Sequence, residues 1–136
     1  MNISIRAYQH TDFEEICKWW VGHHELPPIQ GMMIENGTFI LENDHQPVMT
    51  LTAFMTQSKE VSYIEGYCAK PGLDSALRRT LGEMIWEHCF QFLRSNGFKR
   101  ALAFTDKPEL VNRYKKFGMI KNMDGLSSLG RELCLG

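Results

Sequence analysis

The chain has 136 residues, 43% of them hydrophobic and 23% charged, which is one domain's length with the composition of a globular fold. Lys and Arg number 15 against 16 Asp and Glu, a formal net charge of −1, so the basic excess of a nucleic-acid binder is missing. No stretch reaches the roughly 18 consecutive apolar residues of a membrane span, and the opening MNISIRAYQHTDFEE has no apolar signal core. A single cytoplasmic domain over residues 1–136, with neither nucleic acid nor membrane as partner, is the expectation.

Ile3, Ile5 and Ala7 alternate with polar neighbours and predict a short strand. Thr11 and Glu14 have the spacing of a capping box. Phe13, Ile16, Cys17 and Trp20 then fall on one helical face. His23, His24, Glu25 and the pair Pro27-Pro28 end that helix, and residues 25–36 read as an irregular segment with one short helix. Residues 37–42, 47–56 and 61–69 form three strand-like runs joined by short polar connectors, the pattern of an antiparallel meander.

Lys70-Pro71-Gly72 breaks the pattern, and a long amphipathic helix follows. Its apolar stripe is Leu77, Leu81, Met84, Ile85, Cys89, Phe92 and Leu93, and Asn96-Gly97 is its stop signal. Asp74 or Ser75 can serve as its N-cap, and Thr80 with Glu83 offers a second capping box further on. RALAFT reads as a strand, Pro108 fits the first turn of another helix, and the tail holds two short strands around Asp124-Gly125. The fold class is therefore α+β, with a mixed central sheet flanked by helices on both faces in the order β-α-β-β-β-α-β-α-β-β. The third meander strand, the long helix and RALAFT make a βαβ unit, whose two strands run parallel.

Candidate chemistry gathers at two places. The entry to the long helix offers unpaired amides and a partial positive charge, and Lys70, Arg78 and Arg79 add cationic side chains there, as an anionic phosphate requires. The alternative is that both arginines simply line the solvated face of the helix. Tyr114 sits on the apolar face of the last helix, where a phenol either finds a carbonyl partner or donates a proton in a reaction. Glu65 lies mid-strand among Tyr63, Ile64 and Tyr67. Enclosure would raise its pKa and make it a general base, whereas exposure to solvent would leave it idle. The four cysteines show no CxxC pair and read as buried free thiols. No metal site is expected, because adjacent histidines on a helix point about 100° apart.

Taken together these residues resemble the GNAT family of N-acetyltransferases, which move an acetyl group from acetyl-CoA to an amine. The resemblance spans the chain as element order. Its sharpest match is Tyr114-Lys115-Lys116-Phe117-Gly118-Met119, similar to the family's Tyr-x-x-x-Gly-Phe, with Met119 where Phe is usual. Ser95 to Leu102 resembles the family's helix-to-strand joint, and Glu65 stands six residues before Pro71 as in its fourth strand. The pyrophosphate loop departs from the family's Gln/Arg-x-x-Gly-x-Gly/Ala. Aligned backward from Gly97 the stretch is Leu77-Arg78-Arg79-Thr80-Leu81-Gly82, and only its last glycine agrees; shifted by two, Arg79-x-x-Gly82-x-Met84 keeps the first two positions and loses the last.

The resemblance implies acetyl-CoA as co-substrate and no metal. It assigns main-chain contacts with the pantetheine arm to Cys68 and Ala69, with Gly66 tolerating a bulge. Lys70, Arg78, Arg79, Thr80 and Gly82 would surround the pyrophosphate, and Asp106 or Lys107 falls where the family often has an Asn touching the cofactor. Tyr114 would be the general acid for the CoA thiolate and Glu65 the base for the acceptor ammonium, directly or through water. The acceptor would be a small-molecule or protein amine, against a wall from residues 19–36 and the terminal hairpin, with Trp19, His23 and His24 either lining it or standing as scattered surface residues. Exposed terminal strand edges make a homodimer a candidate arrangement. The altered loop leaves a second reading, a GNAT-like module that binds CoA, or nothing, and acts through protein contacts.

Overall fold

The computed structural model describes residues 1–105, 108–116, 119–121 and 127–132, and describes no side chains at 108, 120, 121 or 127–132. Asp106, Lys107, Phe117, Gly118, Cys134 and the Asp124-Gly125 turn lie outside the described residues. In chain order the elements are β1 (Ile3–Ala7), α1 (Phe13–Gly22), β2 (Thr38–Asn43), β3 (Gln46–Met55), β4 (Ser62–Ala69), α2 (Ser75–Ser95), β5 (Arg100–Thr105), α3 (Pro108–Lys116), β6 (Ile120–Lys121) and β7 (Ser127–Glu132). This is the order the sequence predicts. The strands hydrogen-bond in the order β1-β2-β3-β4-β5-β7-β6. The β1–β2 and β2–β3 pairs are antiparallel, β4–β5 is parallel, and β7 runs antiparallel to both β5 and β6.

The chain divides into two compact units, one of Met1–Thr52 with Gly66–Trp86, the other of Ala53–Glu65 with Glu87–Gly136.

In the first unit, Tyr8, Ile16, Trp19, Met33, Ile40 and Cys68 form one buried cluster, with Phe13 and Trp20 packed against it. The start of α1 differs from expectation. The cap is not the Thr11–Glu14 box but a short 3₁₀ turn, His10–Asp12, in which the Asp12 carboxylate accepts the Gln9 N–H at 2.9 Å. Asp12 is drawn there by Arg6, whose guanidinium donates to both carboxylate oxygens at 2.8 Å and reaches Glu42 at 3.3 Å. This pairing holds the Asp12 carboxyl below its usual range. Asp44 and His45 turn β2 into β3 with φ of 51° and 67°, the left-handed pair of a type I′ hairpin.

In the second unit, α3 packs on β5, β6 and β7. The end of α2 is a Schellman motif, with the Phe98 N–H on the Leu93 carbonyl, the Gly97 N–H on Arg94 and Gly97 at φ 85°. Lys59 lies 4.5 Å from the centre of the Phe98 ring and donates to the Asn96 carbonyl, tying the β3–β4 connection to the α2–β5 joint.

Candidate active site

β4 carries three of the candidate residues, Glu65, Cys68 and Ala69. Its parallel pairing with β5 joins Ser62 to Ala101 and Tyr63 to Leu102, at the first two residues of the strand. Gly66 then adopts φ 74°, a left-handed backbone that interrupts the pleat as a glycine bulge does. Beyond it Cys68 and Ala69 are buried. The Lys70 N–H returns to the Val48 carbonyl on β3 at 2.8 Å. The Ala69 carbonyl is taken instead by a side chain, the Nε2–H of His23 at 2.6 Å. Burial pushes the Cys68 thiol up to about 12, so it stays protonated at neutral pH and is a poor nucleophile.

After β4, Pro71 and Gly72 turn the chain, with Gly72 at φ 84°, and Asp74 caps α2. Its carboxylate accepts the Leu77 N–H at 3.1 Å and its carbonyl accepts the Arg78 N–H at 2.8 Å. Of the four amides that a helix start leaves unpaired, those of Ser75 and Ala76 stay open among the described residues. The helix is thus running before Thr80 is reached, and the Thr80–Glu83 box does not form. The Thr80 hydroxyl instead donates to the Ala76 carbonyl at 3.2 Å. Gly82 is buried about two turns into α2. Lys70 and Arg79 are exposed, Arg78 is half-buried, and neither guanidinium has a partner among the described residues.

Two candidate groups belong to the second unit. Glu65 is half-buried in β4, and desolvation raises its carboxyl above the usual range. Tyr114 is buried on α3, and its carbonyl accepts the Met119 N–H at 3.3 Å. Asp106 lies outside the described residues.

Trp19, expected to line an acceptor wall, is buried in the core, with its indole N–H on Glu15 at 3.2 Å. The exposed apolar side chains nearby in sequence are Val21, Leu26, Ile29 and Met32. The end of α1 carries features that no periodicity reveals. The Glu25 N–H bonds the Trp20 carbonyl and the His24 N–H that of Val21, a Schellman ending. The left-handed seat, usually glycine, is held by His24 at φ 61°. Gly22 stands so close to Pro71 that a Cβ there would lie 2.6 Å from its Cγ.

No family model matches the chain, and no curated protein matches it by sequence. Solved structures match across almost all of it. Ard1 of Thermoplasma volcanium superposes at TM-score 0.79 with 14% identity, over 99% of this chain and 100% of that one. The ribosomal-protein-S18-alanine N-acetyltransferase of Escherichia coli gives 0.75 and 13%, over 99% and 96%. YncA of Salmonella typhimurium, solved with its cofactor acetyl-CoA, gives 0.78 and 11%, over 100% and 96%. The chain has the fold of the GNAT N-acetyltransferases. Among the described residues no helix is long and apolar enough to cross a membrane, and no group of three His, Cys, Asp or Glu could hold a metal ion.

Proposed function

We propose that the protein is an N-acetyltransferase that moves an acetyl group from acetyl-CoA to a primary amine by direct attack in a ternary complex. The observation that carries this is the end of β4. The β4–β5 pairing lies at Ser62 and Tyr63, and after the bend at Gly66 the Ala69 carbonyl has no strand partner among the described residues, which leaves a strand edge that an extended ligand can join. The fold, at TM-scores of 0.75 to 0.79 with these three structures, supports the same reading.

The residues present fit acetyl-CoA. Main-chain groups of Cys68 and Ala69 suit the amides of a pantetheine arm. The open amides of Ser75 and Ala76, with Lys70, Arg78 and Arg79, suit a pyrophosphate. Acetyl-CoA supplies the activated acyl group and a thiolate leaving group. An ammonium cannot attack until it loses a proton, and Glu65, its carboxyl raised by burial, takes that proton directly or through water. A main-chain amide near Cys68 or Ala69 donates to the oxyanion. Tyr114 donates a proton to the departing sulfur. The acceptor is a small-molecule or protein amine.

One observation favours a second reading. Asp74 places a carboxylate beside the open amides of α2, where it repels a phosphate. A module that binds CoA weakly, or not at all, and acts through protein contacts is the alternative. A thermal-shift titration separates the two. Acetyl-CoA at 100 times its Kd stabilises a protein by about 2.7 kcal/mol. No shift at millimolar acetyl-CoA refutes the enzyme. A shift leads to a panel of amines, with free thiol release as the readout.

A further inference from the structure

We infer that His23 is a latch on the cofactor edge of β4, and that acetyl-CoA must open it to bind. The inference rests on the reading of Cys68 and Ala69 as the pantetheine contacts. His23 Nε2–H donates to the Ala69 carbonyl at 2.6 Å. The following residue, Lys70, is bonded to β3 through its N–H. Successive residues of a strand direct their main-chain groups to opposite edges, so the Ala69 carbonyl faces away from β3. The imidazole therefore occupies the position that the first amide of an extended ligand would take on that edge.

The segment carrying His23 is held under strain. His24 occupies a left-handed seat at φ 61°, a conformation that costs a histidine more than a glycine. Gly22 is pressed against Pro71 with no room for a Cβ. Both contacts seat the end of α1 on the connection between β4 and α2. When a ligand amide replaces the imidazole on Ala69, the left-handed turn at His24 loses one of its supports, the main-chain bonds from the His24 N–H to Val21 and the Glu25 N–H to Trp20 remaining, and the backbone after His23 leaves the left-handed region more readily. The residues that then move include Leu26, Ile29 and Met32, whose side chains are exposed. The cofactor edge and this apolar segment are thereby linked, so that filling the first reshapes the second. Affinity for the cofactor falls by the fraction of molecules that are unlatched.

Two variants should move affinity in opposite directions. In the full-length protein, His23→Phe keeps a ring and removes the donor, so CoA should bind about 2- to 10-fold tighter by calorimetry, the worth of one neutral hydrogen bond. His23→Ala should do the same. His24→Gly relieves the strain of the latched form, raises the unfolding temperature, and should weaken CoA binding about 2- to 5-fold. Hydrogen exchange in residues 21–36 should quicken in the wild type when CoA is added. In His23→Phe it should be fast from the start and unchanged by CoA. Binding of CoA by wild type and by the folded His23 variants with equal affinity overturns the latch alone. Weaker binding by those variants overturns it as well, making His23 a support of the edge. Failure of every one of these proteins to bind CoA overturns the acetyltransferase reading and the latch together.

Discussion

Alanine at position 22 gains about 1 kcal/mol of intrinsic helix preference over glycine, and Gly22 is the last residue of α1. On an open helix Gly22→Ala would therefore stabilise. Here a Cβ would sit 2.6 Å from Pro71 Cγ and 3.4 Å from its Cβ. Carbons in ordinary contact lie about 3.5–4.0 Å apart, so the two segments must separate by about 1 Å. The proline ring cannot swing aside, and the Lys70 N–H is fixed to Val48. Overpacking of this kind costs about 1–3 kcal/mol. Moving α1 back also lengthens the bond from His23 to Ala69, which is worth about 1 kcal/mol. The net expectation is a loss of about 1–3 kcal/mol, or about 3–5 °C in Tm for each kcal/mol. Thermal unfolding followed by circular dichroism measures it. Pro71→Ala in the same chain removes the obstructing ring, so the double variant should recover most of the loss, a coupling a double-mutant cycle reads directly. A Gly22→Ala protein as stable as the wild type would refute the close seating of α1 on Pro71.

Four further outcomes follow from the candidate residues and their supports. Tyr114→Phe should lower kcat with little change in acetyl-CoA affinity, and unchanged turnover in a thiol-release assay removes the phenol from the reaction. Glu65 has a raised carboxyl pKa, so the acid limb of kcat/KM should lie above the ordinary carboxylate range, and Glu65→Gln should flatten it. The same shift means that the folded protein holds this proton more tightly than the unfolded chain, so Glu65 costs stability as pH rises through its folded pKa. The Gln variant should lose that decline in urea unfolding. Asp12 behaves in the opposite sense: its depressed pKa, owed first to the Arg6 hydrogen bonds, gives stability that is present above the ordinary carboxylate value and lost as pH falls through the folded one. Asp12→Asn should cost about 1–2 kcal/mol at pH 7 and leave a flatter acid unfolding profile.

Element order was legible because its punctuation is chemical. Gly97 marks the end of α2 through its positive φ, and the turn read at Asn43-Asp44 falls one residue later, where Asp44 and His45 close the hairpin as two left-handed residues. What periodicity missed were choices between near-equal local options. Thr11 and Glu14 spell a capping box, but Asp12 has Arg6 within reach across the chain, and a paired guanidinium outweighs an exposed hydroxyl cap. On α2 the predicted stripe included Met84, which is 41% exposed, and omitted Trp86 and Phe90, which are buried. The buried face of that helix is broader than one stripe, a property of its surroundings and not of its own sequence. Trp19 and Trp20 are adjacent and chemically alike, and only packing with Tyr8, Ile16 and Cys68 decides that the first is fully enclosed. Glu65 and Tyr114 were legible as candidates, a carboxylate mid-strand and a phenol on an apolar helix face. The bond from His23 to Ala69 was not, since it joins positions 46 residues apart and depends on a left-handed residue where glycine is customary.

The order in which the chain leaves the ribosome differs from the order in which its strands lie. β7 is made after the other described strands, yet it lies between β5 and β6, where all of β5 from Arg100 to Thr105 pairs with it. Until residues 127–132 emerge, that edge of β5 is a bare row of main-chain donors and acceptors, and the two residues of β6 have no strand to join. A nascent or truncated chain ending before Ser127 therefore presents an adhesive strand edge. A stop codon shortly before Ser127 should yield aggregate in place of a slightly shorter folded chain.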